Sequence, residues 1–275
     1  PNTFGNFTIS TLLIKTAFAT SDEFNSQAFE DFRQNRQVVA DRLATDFYGT
    51  TAFPRSDEVE PNGYRYPVGF GKTNQAVLLP SFLAAYSGSD AGNVQKGALR
   101  DIPLPNWDVK YTGLMNLKWF RNRFKRFSVN HGYRANYTIN QFQTNLDYDR
   151  SNPDAVDQSG NFKNPILYSN VNLTEQFSPL VRLDMEMKNS VKILAEWKKD
   201  RALSLSFANN LLTEIRGNEY IIGLGYRLSD LTFSTKISGR KQVIKSDLNL
   251  RADLSLRQNE TLIRYLDVDN TQVTA

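Results

Sequence analysis

Covalent chemistry needs a nucleophile, an acid–base pair or metal ligands, and this sequence offers few of them. Among 275 residues there is one histidine, His131, and no cysteine. That excludes disulfide frameworks, thiolate metal sites and cysteine nucleophiles. His131 stands on the apolar phase of an alternating stretch, with no serine partner or second ligand at a recognisable spacing. A packed, hydrogen-bonded ring is the simpler reading than a general base. Gly69-Phe70-Gly71-Lys72-Thr73 ends like a phosphate-binding loop, but Tyr66 stands where that pattern needs its first glycine. Asp267-Val268-Asp269-Asn270 carries hard oxygen donors without the glycine and distant glutamate of a calcium loop. The expectation is a protein with no catalytic residues, no cofactor and no metal, and hence not an enzyme.

One cluster concentrates positive charge. Lys118, Arg121, Arg123, Lys125 and Arg126 are interleaved with Trp119, Phe120, Phe124 and Phe127. Nucleic acid or lipid headgroups would suit such a cluster. The chain carries 33 Lys+Arg against 29 Asp+Glu, a net charge of +4, which is too small to argue for nucleic acid. Aromatic residues at a membrane interface, with basic neighbours reaching to water, fit better.

The elements that must position these residues announce themselves by period-two alternation, the mark of strands with one apolar face. Val181, Leu183 and Met185 alternate with Arg182, Asp184, Glu186 and Lys188. Val191, Ile193, Ala195 and Trp197 alternate with Lys192, Glu196 and Lys198, and Leu248, Leu250, Ala252, Leu254 and Leu256 with Arg251, Asp253 and their neighbours. Residues 107–119 and 127–139 alternate for longer, and each is expected to be one strand. Ser178-Pro179, Asn189-Ser190 and Ser229-Asp230 are expected to be tight hairpin turns. Mean hydropathy is -0.48, and no run approaches the ~20 apolar residues of a membrane helix. Strands of ~9–11 residues also cross a bilayer, however, and leave only a weak hydropathy signal. On a barrel, Arg182, Asp184, Glu186, Lys188, Lys192, Glu196, Arg251 and Asp253 would line a wet lumen. Val181, Leu183, Met185, Leu248, Leu250 and Leu254 would then face lipid. On a soluble sandwich the charged phase would be a solvated outer face, and local sequence does not separate the two.

Residues 20–44 break the pattern. Phe24, Ala28, Phe32, Val39 and Leu43 recur at helical spacing, interrupted by Arg36, and Thr20-Ser21-Asp22-Glu23 offers a capping box. Residues 47–105 have no clear period and are rich in Gly, Pro, Tyr and Asn. Loops of such length tend to carry function, and Phe24, Phe32, Tyr64, Tyr66, Phe70 and Phe82 are the candidates for a loop or gate role. The organisation expected is a strand in 1–19, a helical and irregular insertion in 20–105, and an antiparallel meander in 106–275.

Several long stretches resemble one family. Residues 101–115 (DIPLPNWDVKYTGLM) are similar to a segment of the SprA (Sov) family, the outer-membrane translocon of the type 9 secretion system of Bacteroidetes. So are residues 18–44, 66–88, 127–148, 171–227 and 246–256 and the Asp-Val-Asp-Asn-Thr-Gln-Val-Thr-Ala end. The resemblance implies a very large single-chain barrel that conducts folded cargo proteins to the cell surface and serves gliding motility. It implies three protein partners: the cargo in transit, a PorV-like outer-membrane barrel over a lateral opening, and a periplasmic plug protein. It also implies that this chain is the C-terminal part of a longer protein, without its final strands.

The expectation is therefore an all-β chain: a segment of a very large antiparallel transmembrane β-barrel with an inserted amphipathic helix and long loop. It would sit in the outer membrane of a Gram-negative bacterium, in contact with lipid and not with nucleic acid. The alternatives are another outer-membrane barrel, such as a porin or ligand transporter, and a soluble all-β binding module.

Overall fold

The computed structural model describes residues 2–22, 24–237 and 240–274. The chain is mostly antiparallel β-sheet with a helical layer on one face. Among the described residues the strands are β1 (Phe4–Ser10), β2 (Trp107–Tyr111), β3 (Phe124–Thr144), β4 (Ile166–Tyr168), β5 (Asn170–Met187), β6 (Val191–Ser206), β7 (Leu211–Ile237), β8 (Arg240–Tyr265) and β9 (Asn270–Thr274). They pair in the order β1-β3-β5-β6-β7-β8-β9, with β2 and β4 also on β3. Sequence neighbours from β5 onward are neighbours in space, so this part of the sheet is a meander. It does not close among the described residues: β1 and β2 lie at one edge, and β9 covers only residues 261–265 of β8 at the other.

The long strands correct two expected turns. β5 runs through Ser178-Pro179 with a register shift between Phe177 and Val181. β7 runs through Ser229-Asp230 with a shift between Leu228 and Leu231. Pro179 has no N–H for the ladder, and Asp230 sits at φ 57°, so each site breaks the ladder as a bulge within a continuing strand. Asn189-Ser190 is a true turn, with Ser190 at φ 69° between β5 and β6.

Residues 107–119 are not one strand either. β2 stops at Tyr111, a 3₁₀ turn follows at Gly113–Asn116, and a short helix occupies Lys118–Arg123 before β3 begins. The apolar spacing there serves a ring cluster instead. Phe120 packs against Trp119, Phe124 and Phe127 with centroids 4.8, 5.9 and 4.8 Å away.

Helix α1 covers Gln27–Tyr48, and its N-cap is Ser26, whose hydroxyl accepts from the Phe29 N–H at 3.3 Å. The capping box expected at Thr20–Glu23 is not used: Ser21 bonds to Ser26 and Glu214 instead, and Glu23 lies outside the described residues. Helix α2, Gln75–Ser87, lies inside the stretch expected to be irregular. Every residue from Val77 to Tyr86 is buried. A helix that is apolar all round has no polar face to give it a period, and Pro80 at its centre disguised it further. We label the Lys118–Arg123 helix α3.

Between β1 and α1 the chain forms a strap, residues 11–22 and 24–26, that runs across the sheet from β3 to β8. The Thr11 N–H donates to Ala135 O on β3, and the Leu13 N–H to the Tyr133 hydroxyl at 2.9 Å. Thr16 meets Arg201 on β6, and Ser21 meets Glu214 on β7 and Arg264 on β8. The core lies between this strap, α1 and α2 above, and one sheet face below. Phe32, Phe82, Tyr133, Ile139, Leu173, Leu205 and Leu212 are all fully buried there.

Candidate functional site

Directly opposite residues of paired strands project to the same face, so the register assigns the described side chains of the sheet to one face or the other. Leu173 faces Leu203, Leu203 faces Glu214, and Glu214 faces Leu262. Farther along the same strands, Val181 faces Trp197, which faces Tyr220, which faces Leu256. The register shift in β5 keeps Phe177 and Val181 on one side, because their partners Lys199 and Trp197 are two residues apart. One face therefore has two halves: a half roofed by the strap and helices, and a bare half.

The bare half is an apolar belt across six strands. It runs from Val109 and Tyr111 on β2 through Phe127 and Val129 on β3 to Val181, Leu183 and Met185 on β5. It continues over Val191, Ile193 and Ala195 on β6, Ile222 and Leu224 on β7, and Leu248, Leu250 and Leu254 on β8. Leu254 is 73% exposed and Ile222 58%, and a contiguous patch of this extent marks an interaction surface. Aromatic rings bound it. Trp197 and Tyr220 stack at 5.7 Å on the side toward the helices, and Tyr226 and the Trp119 cluster lie toward the other end. Leu248 to Leu256 spans about 27 Å of strand, or roughly 20 Å of height at the 35–45° tilt of barrel strands.

The opposite face is polar over the same strands. Arg182, Asp184, Glu186, Lys192, Glu196, Arg251 and Asp253 all point there, while Lys188 sits in the β5–β6 turn. Their charges interlock: Arg182 pairs with Asp184 at 3.0 Å and Glu196 at 3.8 Å, Arg251 with Asp253 at 2.7 Å, and Arg257 with Asp200 at 3.0 Å. Arg227 pairs with Asp247. Gly223 and Gly225 of β7 leave a depression among these side chains. A Cβ at Gly223 would collide with the Asp253 carboxylate, and one at Gly225 would crowd Lys192. The depression, about 470 Å³, is lined by Arg126, Arg182, Lys192, Arg251 and Asp253 among others.

The roofed half holds an ionic ladder that sequence reading did not find. The Tyr133 hydroxyl donates to Glu175 at 2.8 Å, and Glu175 pairs with Arg201 at 3.0 Å. Arg201 donates to the carbonyl and hydroxyl oxygens of Thr16. Glu214 pairs with Arg264 at 2.8 Å, and both bond to the Ser21 hydroxyl. Arg216 reaches Ser21 O and Glu260. Arg36 of α1, 1% exposed, pairs with Asp269 at 2.7 Å. The missed signal is charge on an apolar phase: Glu175 among Val171, Leu173 and Phe177, and Arg264 between Leu262 and Leu266. Asp22, in the strap, is held below the usual carboxylate range by the backbone N–H groups of Asn25 and Phe24.

The gate candidates do not form one group. Phe32 and Phe82 meet in the core at 6.3 Å, and Tyr66 and Phe70 belong to a second cluster around Phe162. Tyr64 packs beside that cluster; burial pushes its phenol up, and it donates to Asp41 at 2.7 Å. Phe24 stands apart, 85% exposed. The glycine-rich segment is a packing turn. Gly69, at φ 81°, abuts the Phe162 ring, the Gly71 N–H donates to Asn161 Oδ1, and Lys72 pairs with Glu60. A capped helix, α2, does follow it, but its N-cap Asn74 is bonded within the turn. His131 is packed near Trp107 and Phe177, with Nδ1 2.7 Å from Leu180 O. Asp269 and Asp267 are taken by Arg36 and Asn210. No cluster of three metal-ligating side chains occurs among the described residues. Neither a family model nor a curated protein matches the sequence.

Proposed function

We propose that this chain is an arc of the wall of an outer-membrane channel that conducts folded cargo proteins through a water-filled lumen. The observation that carries the reading is the division of one sheet into an aromatic-bounded apolar belt and an opposite face of interlocked charge, on strands far longer than a bilayer requires. β7 has 27 residues, against the ~9–11 that cross a membrane. On this reading the belt faces lipid and the charged face the lumen, where a wide barrel must stay hydrated. Strand pairing supplies the hydrogen bonds that lipid cannot. The conducted substrate, a protein in transit, and the PorV-like and plug partners rest on the family resemblance. Alternating charge of both signs suits a polar polypeptide passing through water better than one selected ion.

Because α1, α2 and the strap share the belt's face, the reading sets the insertion outside the wall, beyond the bilayer edge. That favours a cap or lateral-opening element over a lumen plug. The test is two pairs of substitutions in the full-length protein, the first made singly and the second together. Leu250→Arg and Leu224→Arg each cost about 2–4 kcal/mol of membrane stability if they lie near mid-bilayer. Asp184→Lys with Glu186→Lys leaves insertion intact and alters cargo passage. Loss of insertion in the second pair but not the first reverses the faces and sinks the reading.

A further inference from the structure

We infer that the end of the belt bounded by α3 is a binding surface for the phosphate groups of anionic lipids. The inference rests on the membrane-wall reading and adds to it a lipid class and a location. Two hairpin ends meet there: the Lys188 N–H donates to Arg123 O at 3.3 Å, joining the β5–β6 turn to the α3–β3 junction. This contact gathers Lys118, Arg121 and Arg123 from one segment and Lys188 from another. None of these four pairs with a carboxylate among the described residues. Glu186, an acid of the same region, is taken by Lys125 at 3.4 Å and Arg126 at 3.3 Å.

The contrast with the rest of the wall is what makes the cluster informative. On the charged face nearly every arginine has a carboxylate partner, as Arg182, Arg227, Arg251 and Arg257 show. At the helix-covered end the cations Arg201, Arg216 and Arg264 are likewise paired. Among the described residues, the α3 end is where a group of cations stands unmatched beside lipid-facing rings. No residue of α3 is buried. The Arg123 guanidinium lies 4.6 Å from the Trp119 ring centroid, which orients it by cation–π attraction while leaving its donors free. Guanidinium groups bind phosphate oxygens bidentately, and aromatic rings such as Trp119 and Phe120 settle at headgroup level. The occupant that fits both features is a phosphate on an acyl-chain anchor, because a free anion would gain nothing from the rings.

The experiment reconstitutes the full-length protein in nanodiscs of phosphatidylcholine with a minor share of phosphatidylglycerol. Lipids retained after limited detergent extraction are then counted by mass spectrometry. Wild type retains phosphatidylglycerol several-fold above its bulk share. The K118Q/R121Q/R123Q/K188Q variant falls to the bulk ratio, while K192Q/K198Q/R251Q/R257Q, equal in charge removed but on the lumen face, keeps the enrichment. Inorganic phosphate at matched ionic strength fails to displace the retained lipid; if it displaces it, the site is a simple anion site and the lipid assignment falls. Equal enrichment in wild type and the first variant overturns the proposal while leaving the wall reading standing. A chain that never enters the disc overturns both.

Discussion

At the scale of the residue, the most consequential side chains are charged groups on an apolar phase. Glu214 and Arg264 are each almost wholly buried and bonded to each other and to Ser21. Removing one partner strands a charge in the core. Glu214→Gln or Arg264→Met alone is expected to destabilise the roofed half by about 3–5 kcal/mol. Replacing both, Glu214→Leu with Arg264→Met, is expected to recover most of that loss, read as the urea midpoint for release of the strap to protease. Asp22 adds a pH dependence. Its depressed pKa stabilises the turn above the ordinary carboxylate pKa, and that support is lost as pH falls through the folded value. Proteolysis of the strap should rise on acidification through that range in wild type, and the change should vanish in Asp22→Asn. These residues were readable in sequence only as exceptions. Arg182, Asp184 and Glu186 are obvious because they repeat, whereas Glu175 and Arg201 each break a pattern once. A single break looks like noise until the register brings four of them together.

At the scale of the element, legibility followed the physical signal. Strand faces were readable wherever one side is apolar and the other polar, because period two survives even in short windows. Bulges were not: Ser178-Pro179 and Ser229-Asp230 have turn composition, and only pairing with β6 and β8 shows that the strand continues. Helix α1 was readable from its apolar stripe, while α2 was not, since burial on all sides removes the stripe. Its burial makes α2 the keystone of the roof. Phe82→Ala should cost about 3–5 kcal/mol through lost packing and a residual cavity. Phe24→Ala, at an exposed position, should be within measurement error; both are read by thermal unfolding of the helical layer. Equal effects would mean that the roof is not held by this helix.

At the scale of the whole molecule, the arrangement is a sheet whose two faces differ in chemistry along one strand. The belt, the charged face and the roof were each hinted at in sequence, but their relation was not, because only the register shows that roof and belt share a side. Residues 1–275 hold no cysteine, so a thiol introduced among them is the single one this segment presents. On the channel reading proposed above, Ser255→Cys, on the charged face, should be shielded from an impermeant maleimide by a stalled cargo. Thr50→Cys, at the end of α1, should react equally with and without the cargo. Shielding of Thr50→Cys would place the roof in the path of transport. The two bulges have a further consequence, for the curvature of the sheet. A bulge bends its strand and raises the local twist, so the places where β5 and β7 shift register set where the sheet turns.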